Sequence, residues 1–182
     1  YLHHVVRVLW CICFAPLLAG PATAASWTVG KGAAVPPPGY LSMCRETPSV
    51  CAGDRKPGAG LFAVSADDLD TLRAVNVQVN HDIAPKHDDV DRWLPDASAG
   101  DCEDFALTKR QRLIDLGWAP SQLLIAVVDD PAQGPHVVLI ARTDQGDLVL
   151  DNLTDTVLPW QATGLTFLSR QSEKLSAMWV KL

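Results

Sequence analysis

Cysteine and histidine are scarce in this 182-residue chain, with five of each. Cys11, Cys13, His3 and His4 all fall before residue 24, so three of each serve the rest of the chain. Basic residues are also in deficit, 15 Lys and Arg against 21 Asp and Glu, and they form no cluster. A net charge of −6 without a basic patch excludes nucleic acid as a partner. No internal repeat is present. The most apolar run, over 8–19, is too short to span a bilayer comfortably. What remains is a chain long enough for one domain with a real core.

The first residues read as a leader. Arg7 precedes the apolar run over 8–19, Gly20 and Pro21 break it, and Ala22-Thr23-Ala24 supplies a small-x-small site. That is the layout of a secretory signal peptide over 1–24, and it implies a periplasmic or secreted protein. An uncleaved membrane anchor is the alternative. Export then governs the cysteines. Cys44, Cys51 and Cys102 remain, and three thiols in an oxidising compartment suggest one disulfide and one free thiol. "MCRETPSVC" is a short local loop, so Cys44 and Cys51 are expected to pair. Cys102 is left over. It is a buried structural thiol, a metal ligand or a nucleophile.

Residues 25–60 are rich in Pro, Gly and Ala, as in "GKGAAVPPPGY" and "CAGDRKPGAG". They read as a loop-rich arm ahead of a domain over 61–182. Ser65 followed by acids, with Leu69, Leu72, Val75 and Val79 at helical spacing, predicts a helix over 66–80. A second helix starts at Cys102, with Asp101 as its cap and Gly117 after its end. Three apolar runs follow. "QLLIAVVDD" reads as a strand, "HVVLIART" and "DLVLDNLT" flank "DQG" as a hairpin, and "LTFLSRQS" suggests a last strand. Helices first and antiparallel strands afterwards give an α+β class, with Cys102 at a helix N-terminus packed on the sheet.

A helix N-terminus lowers a thiol's pKa, but Asp101, Glu103 and Asp104 act against it. A histidine or a bound cation would offset them. His81 and His87 lie in the polar stretch before the helix. His136 opens a strand, and Asp151 ends its hairpin partner. A base on one strand oriented by a carboxylate on the next suits a cysteine nucleophile. A tight turn at Gln145-Gly146 pairs Ile140 with Asp151 and leaves His136 about 13 Å away. A triad therefore needs a wider loop or a bulge. Spacing permits Cys-His-Asp catalysis and does not demonstrate it.

"GDCEDFALTKRQRLIDLGW", "HVVLIARTDQGDLVLDN" and "RQS" resemble the bacterial transglutaminase-like cysteine proteinases. "GYLSMCRETPSVC" and "VNVQVNHDI" resemble the N-terminal part of the family's alphaproteobacterial members. The resemblance implies a papain-like or transglutaminase-like core with Cys102 as nucleophile, His136 as base and Asp151 as orienter. It departs at Pro135, where the family carries a small residue. It also implies a Ca²⁺ site formed partly by Asp101 and Glu103, a large adhesin as substrate and an inner-membrane signalling receptor as partner. No organic cofactor is implied. Oxyanion stabilisation is expected from the Cys102 backbone N–H, with a side-chain donor from Gln78 or Asn80. Trp93 is a candidate cleft wall. The expected activity is an exported endopeptidase. The rivals are acyl transfer to an amine and a non-catalytic periplasmic binding module on the same fold.

Overall fold

The computed structural model describes residues 24–51, 61–87, 89 and 91–182. The expected leader lies outside the described residues except for Ala24, as do residues 52–60 of the arm. The chain runs through β1 (Ala33–Ala34), α1 (Pro38–Glu46), α2 (Ala66–Asp82), β2 (Ala84–Pro85), β3 (Ala99–Gly100) and α3 (Cys102–Asp115). The strands β4 (Leu123–Asp130), β5 (Gly134–Thr143), β6 (Gly146–Asp151), β7 (Thr154–Pro159), β8 (Thr166–Gln171) and β9 (Trp179–Lys181) follow. Seven strands make one sheet in the order β1-β9-β8-β4-β5-β6-β7. Every pair in it is antiparallel. β2 and β3 form a short parallel pair immediately before α3. The α+β class is as the sequence implied.

Local chemistry explains the helices. The Ser65 side chain accepts from the Asp68 N–H while the Asp68 carboxylate takes the Ser65 N–H, so α2 starts on a reciprocal capping box. Leu72, Val75 and Val79 face inward from it. α3 ends where Gly117 adopts a φ of 101°, a conformation a side chain disfavours. β4 and β5 lie at the middle of the sheet and are buried on both faces. Ile125, Leu139 and Ala141 pack with α2 and α3. Leu124, Ala126, Val138 and Ile140 pack on the other face with Phe167 and Trp160. That is why these two strands read as continuous apolar runs and not as an alternating pattern.

The arm departs from expectation. Residues 38–46 form α1, and its Tyr40 and Met43 enter the main core. Three consecutive prolines suggested a loop, but Pro38 sits in the first turn of α1, where a missing N–H costs nothing. The Tyr40 ring meets Trp93 and Trp179 edge-on, and its hydroxyl donates to the Ser176 carbonyl at 2.8 Å. Cys44 and Cys51 form a disulfide that closes the chain just after α1. Residues 26–28 cross the β5–β6 hairpin, where Thr28 donates twice to the buried Asp147 carboxylate. Gly146 is required there twice over. Its φ is 111°, and a Cβ would come within 2.8 Å of the Ser26 carbonyl oxygen.

The hairpin register corrects the expected one. The turn is at Asp144-Gln145, because Thr143 pairs with Gly146. That is one residue earlier than Gln145-Gly146, and it carries Asp151 two places along β5 toward His136. Neither a wider loop nor a bulge between β5 and β6 is needed to bring them together.

Candidate active site

Cys102 is the first residue of α3, so its backbone N–H is one of the donors the helix leaves unbonded. Its thiol is free and partly exposed. The turn that presents it is fixed from behind. The Asp104 carboxylate accepts the Leu94 N–H at 2.7 Å and folds over Gly100, leaving no room there for a Cβ. Hence "GDCED" carries glycine at its first place and a buried acid at its last. Asp101 does not cap the helix with its side chain, contrary to expectation. Its carboxylate turns instead toward Glu103 and toward His87, whose Nδ1 lies 3.3 Å from it.

His136 and Asp151 meet as a buried pair. The imidazole Nε2 lies 2.8 Å from Asp151 Oδ1, which leaves Nδ1 as the ring nitrogen available to a thiol. Asp151 Oδ1 also accepts the Leu153 N–H at 3.0 Å. Burial raises the Asp151 pKa, but the bonds from His136 and Leu153, with the charges of His136 and Lys109, outweigh it and hold the carboxyl below its ordinary range. The sulfur of Cys102 takes the backbone N–H of Val137, the residue after His136. Thus α3 and β5 bring the thiol and the imidazole into one cleft. His81 is elsewhere, 3.4 Å from Asp155 on the surface.

A cleft of about 680 Å³ opens on Cys102 and His136, walled by Val35, Pro37, Trp93 and Val137. A second cavity of about 380 Å³ also opens on these two residues, bordered by Lys86, Gln133 and Leu153. Both share Asp101, Cys102, Pro135 and His136. Trp93 lines the cleft as the sequence suggested. Gln78 and Asn80 do not. Gln78 is exposed on α2, and the Asn80 amide donates to the Asp151 and Thr154 carbonyls at 3.1 Å each. Asn80 supports the turn that carries Asp151. Asn76 does the same, donating to the Thr154 carbonyl at 2.9 Å, and the sequence reading missed it. Its signal was a polar residue on the inward stripe of α2, one place after Val75.

The electrostatics around the thiol are unfavourable to a thiolate. Burial, then the charge and hydrogen bond of Glu103, push Cys102 up to about 12. The thiol donates to Glu103 Oε2 at 3.3 Å. Burial and the neighbouring Asp101 carboxylate in turn push Glu103 up to about 8. Two carboxylates share one partly buried place, and Asp101 Oδ1 is buried with no hydrogen-bond partner among the described residues. Hard oxygens with unspent negative charge fit a hard cation such as Ca²⁺, which takes six to eight oxygen ligands. Among the described residues no group of three or more His, Cys, Asp or Glu is arranged to hold a metal ion by itself.

Comparison with known proteins agrees with this geometry. The profile of the bacterial transglutaminase-like cysteine proteinase family, BTLCP, matches residues 30–182. No curated protein sequence matches. Among solved structures, calcium-bound LapG of Legionella pneumophila is similar at 25% identity and a TM-score of 0.52, over 56% of this chain and 64% of that one. EGTA-treated LapG of the same organism matches at 27% identity and a TM-score of 0.51, over 56% and 62%. A third LapG structure matches at 26% identity and a TM-score of 0.52, over 60% and 68%. The chain therefore covers slightly less than two thirds of the first two.

Proposed function

The chain belongs to the bacterial transglutaminase-like cysteine proteinases, and on that premise we propose an exported endopeptidase with Cys102 as nucleophile, His136 as base and Asp151 as orienter. The observation that carries this reading is the buried His136–Asp151 pair at 2.8 Å, in the cleft that holds the free thiol. Two cavities that meet at Cys102 and His136 suit an endopeptidase, because a chain cut in its middle must leave the site in two directions.

In this mechanism the Cys102 S–H proton passes to His136 Nδ1. Sulfur bonds to the scissile carbonyl carbon, and the carbonyl electron pair moves onto oxygen. Backbone N–H groups at the start of α3 stabilise that oxyanion. The C–N bond then breaks as the imidazolium protonates the leaving amine, and a thioester remains. Water gives a proton to His136, and its oxygen bonds to the thioester carbon. The C–S bond then breaks, the acyl group leaves as a carboxylic acid, and the imidazolium returns its proton to the Cys102 sulfur. Asp151 fixes the ring so that Nδ1 faces the sulfur, and it stabilises the imidazolium.

Asp101 and Glu103 would hold Ca²⁺ with oxygens from elsewhere. When bound, the ion opposes the negative field at Cys102 and makes the thiolate easier to form. Export rests on the leader-like layout of residues 1–24. Among the described residues no helix is long and apolar enough to cross a membrane. The likeness to LapG supports a periplasmic enzyme, a large surface adhesin as substrate and an inner-membrane signalling receptor as regulator. The test compares surface and secreted proteins from cells carrying the wild type or Cys102→Ala. A shortened adhesin that appears only with the wild type supports the reading. Identical profiles, together with a Cys102 thiol inert to iodoacetamide, would overturn it in favour of a binding module.

A further inference from the structure

Val35, Pro37, Pro38, Asp91 and Trp93 line the same cleft as Cys102 and His136, and the mechanism above gives none of them a task. They come from two segments far apart in the chain. One is the end of the arm with the start of α1, and the other is the loop before β3. Prolines at 36, 37 and 38 carry no N–H, so the first segment has no donors for pairing with a substrate backbone. It offers apolar surface instead, with Val35 86% exposed.

One carboxylate joins the two segments. Asp91 Oδ2 accepts the Gly39 N–H at 2.9 Å, and Asp91 Oδ1 accepts the Trp93 indole N–H at 2.7 Å. Gly39 is the second residue of α1, so its N–H is one the helix itself leaves unbonded. Pro37 at the N-cap has no side-chain oxygen to take it, and the first turn of α1 carries no acid. Asp91 therefore caps α1 from 52 positions away and puts negative charge at its positive end. The indole packs directly on the helix backbone. A Cβ at Gly39 would collide with Trp93 Cδ1 and come within 2.6 Å of Asp91 Oδ2, so no side chain fits there. The Tyr40 ring meets the indole edge-on at 5.6 Å. Further along the loop, Asp104 accepts the Leu94 N–H and the Thr108 hydroxyl accepts the Asp96 N–H, both from α3. The loop is thus tied on one side to α1 and on the other to the helix that begins with Cys102.

We propose that Asp91 is a positioning residue that sets substrate specificity. It fixes Trp93 against α1, so that the indole, Val35 and the prolines form one subsite for an apolar side chain of the protein substrate. The proposal rests on the reading of Cys102 as the nucleophile of this cleft. Asp91 acts through the wall it assembles, not on the sulfur.

The experiment alkylates Cys102 in the full chain with two reagents. N-benzyl-iodoacetamide carries a ring in place of the apolar side chain, and iodoacetamide lacks it. Wild-type alkylation by the benzyl reagent is expected to saturate. In Asp91→Ala its half-saturating concentration should rise about tenfold while the limiting rate stays within about twofold, the pattern of lost binding and not of lost chemistry. Gly39→Ala should give the same split with every charge kept, because the added methyl group displaces the indole. The Trp93 indole N–H signal in NMR should move in both variants. An unchanged half-saturating concentration, or no saturation in the wild type, overturns the proposal. A lower melting temperature without the split marks Asp91 as a helix cap only and overturns it as well. So does a split confined to one variant, since charge alone explains the first and crowding alone the second. A Cys102 inert to both reagents strikes the nucleophile reading, and the proposal falls with it. If neither variant folds, wild-type NMR decides. The unreactive N-benzylacetamide must shift the Trp93 indole signal, and a signal that stays in place overturns the proposal.

Discussion

On the strand side of the cleft, His136 and Asp151 are paired at 2.8 Å, and Asp151 takes a second hydrogen bond from the Leu153 N–H. Behind them Asn76 and Asn80 tie down the turn. On the helix side, Cys102 donates to Glu103, and Asp101 keeps a buried oxygen without a partner among the described residues. The field there favours the neutral thiol. His136 and Asp151 are therefore held by packing and hydrogen bonds, whereas the Cys102 thiol shares their cleft but is electrostatically opposed as a nucleophile. Packing can fix an orientation, but it cannot cancel a charge it has buried. In the proposed mechanism that task falls to the imidazolium and to a bound cation.

The largest test of this contrast is on the strand side. His136→Ala should slow Cys102 alkylation by roughly 10²- to 10⁴-fold, the range of a lost general base. Asp151→Asn should fall between that and the wild type, because an amide still orients the ring. Equal rates in all three would break the contrast. Next comes the bridge beside α1, which belongs to neither side. Its Cys44 and Cys51 are seven positions apart, so replacing both with Ser should cost about 2–3 kcal/mol in urea unfolding. The alkylation rate of the folded fraction should not change. If it does, the arm shapes the helix side more than its contacts suggest.

Calcium probes the helix side alone. Ca²⁺ should accelerate Cys102 alkylation about tenfold, as expected for one unit of thiol pKa, and a chelator should reverse it. Glu103→Gln should abolish the response without lowering the melting temperature. Indifference of the wild type to Ca²⁺, with no heat of binding in calorimetry, would leave His136 as the only offset. The smallest effect is a pH trend in stability. Lys109 is pushed down to about 7 in the folded chain, while an unfolded lysine keeps its proton to about 10.4. Between those values the unfolded state binds more protons, so this group makes stability rise with pH. Urea unfolding across that window should show the rise in the wild type and a flatter profile in Lys109→Met. Parallel profiles would place Lys109 outside the charge balance of the strand side.

Much of the site was legible because it depends on local chemistry. Ser65 and Asp68 announced α2, and the odd cysteine count singled out Cys102. The "DQG" turn announced the β5–β6 hairpin. The register was not legible, since a turn moved by one residue shifts a strand partner by two, and several turns fit the same letters. α1 was hidden behind three prolines, one of which is a helix start. β7 and β9 were missed as short, edge-placed strands with no clean alternation. Lys109 left a faint trace, a charge interrupting the apolar stripe of α3.

By itself the sequence determined which groups exist for chemistry. It left one unpaired thiol, three histidines and a run of acids around the nucleophile, because composition and local spacing are properties of the chain. Which histidine shares a cleft with the thiol, which carboxylate meets that histidine and what Asn80 supports were decided only by the tertiary structure. His136 and Asp151 are 15 positions apart, and Asn80 is 71 positions from Asp151. Contacts over such separations are set by strand register and helix packing, which follow from burying both faces of β4 and β5 at once.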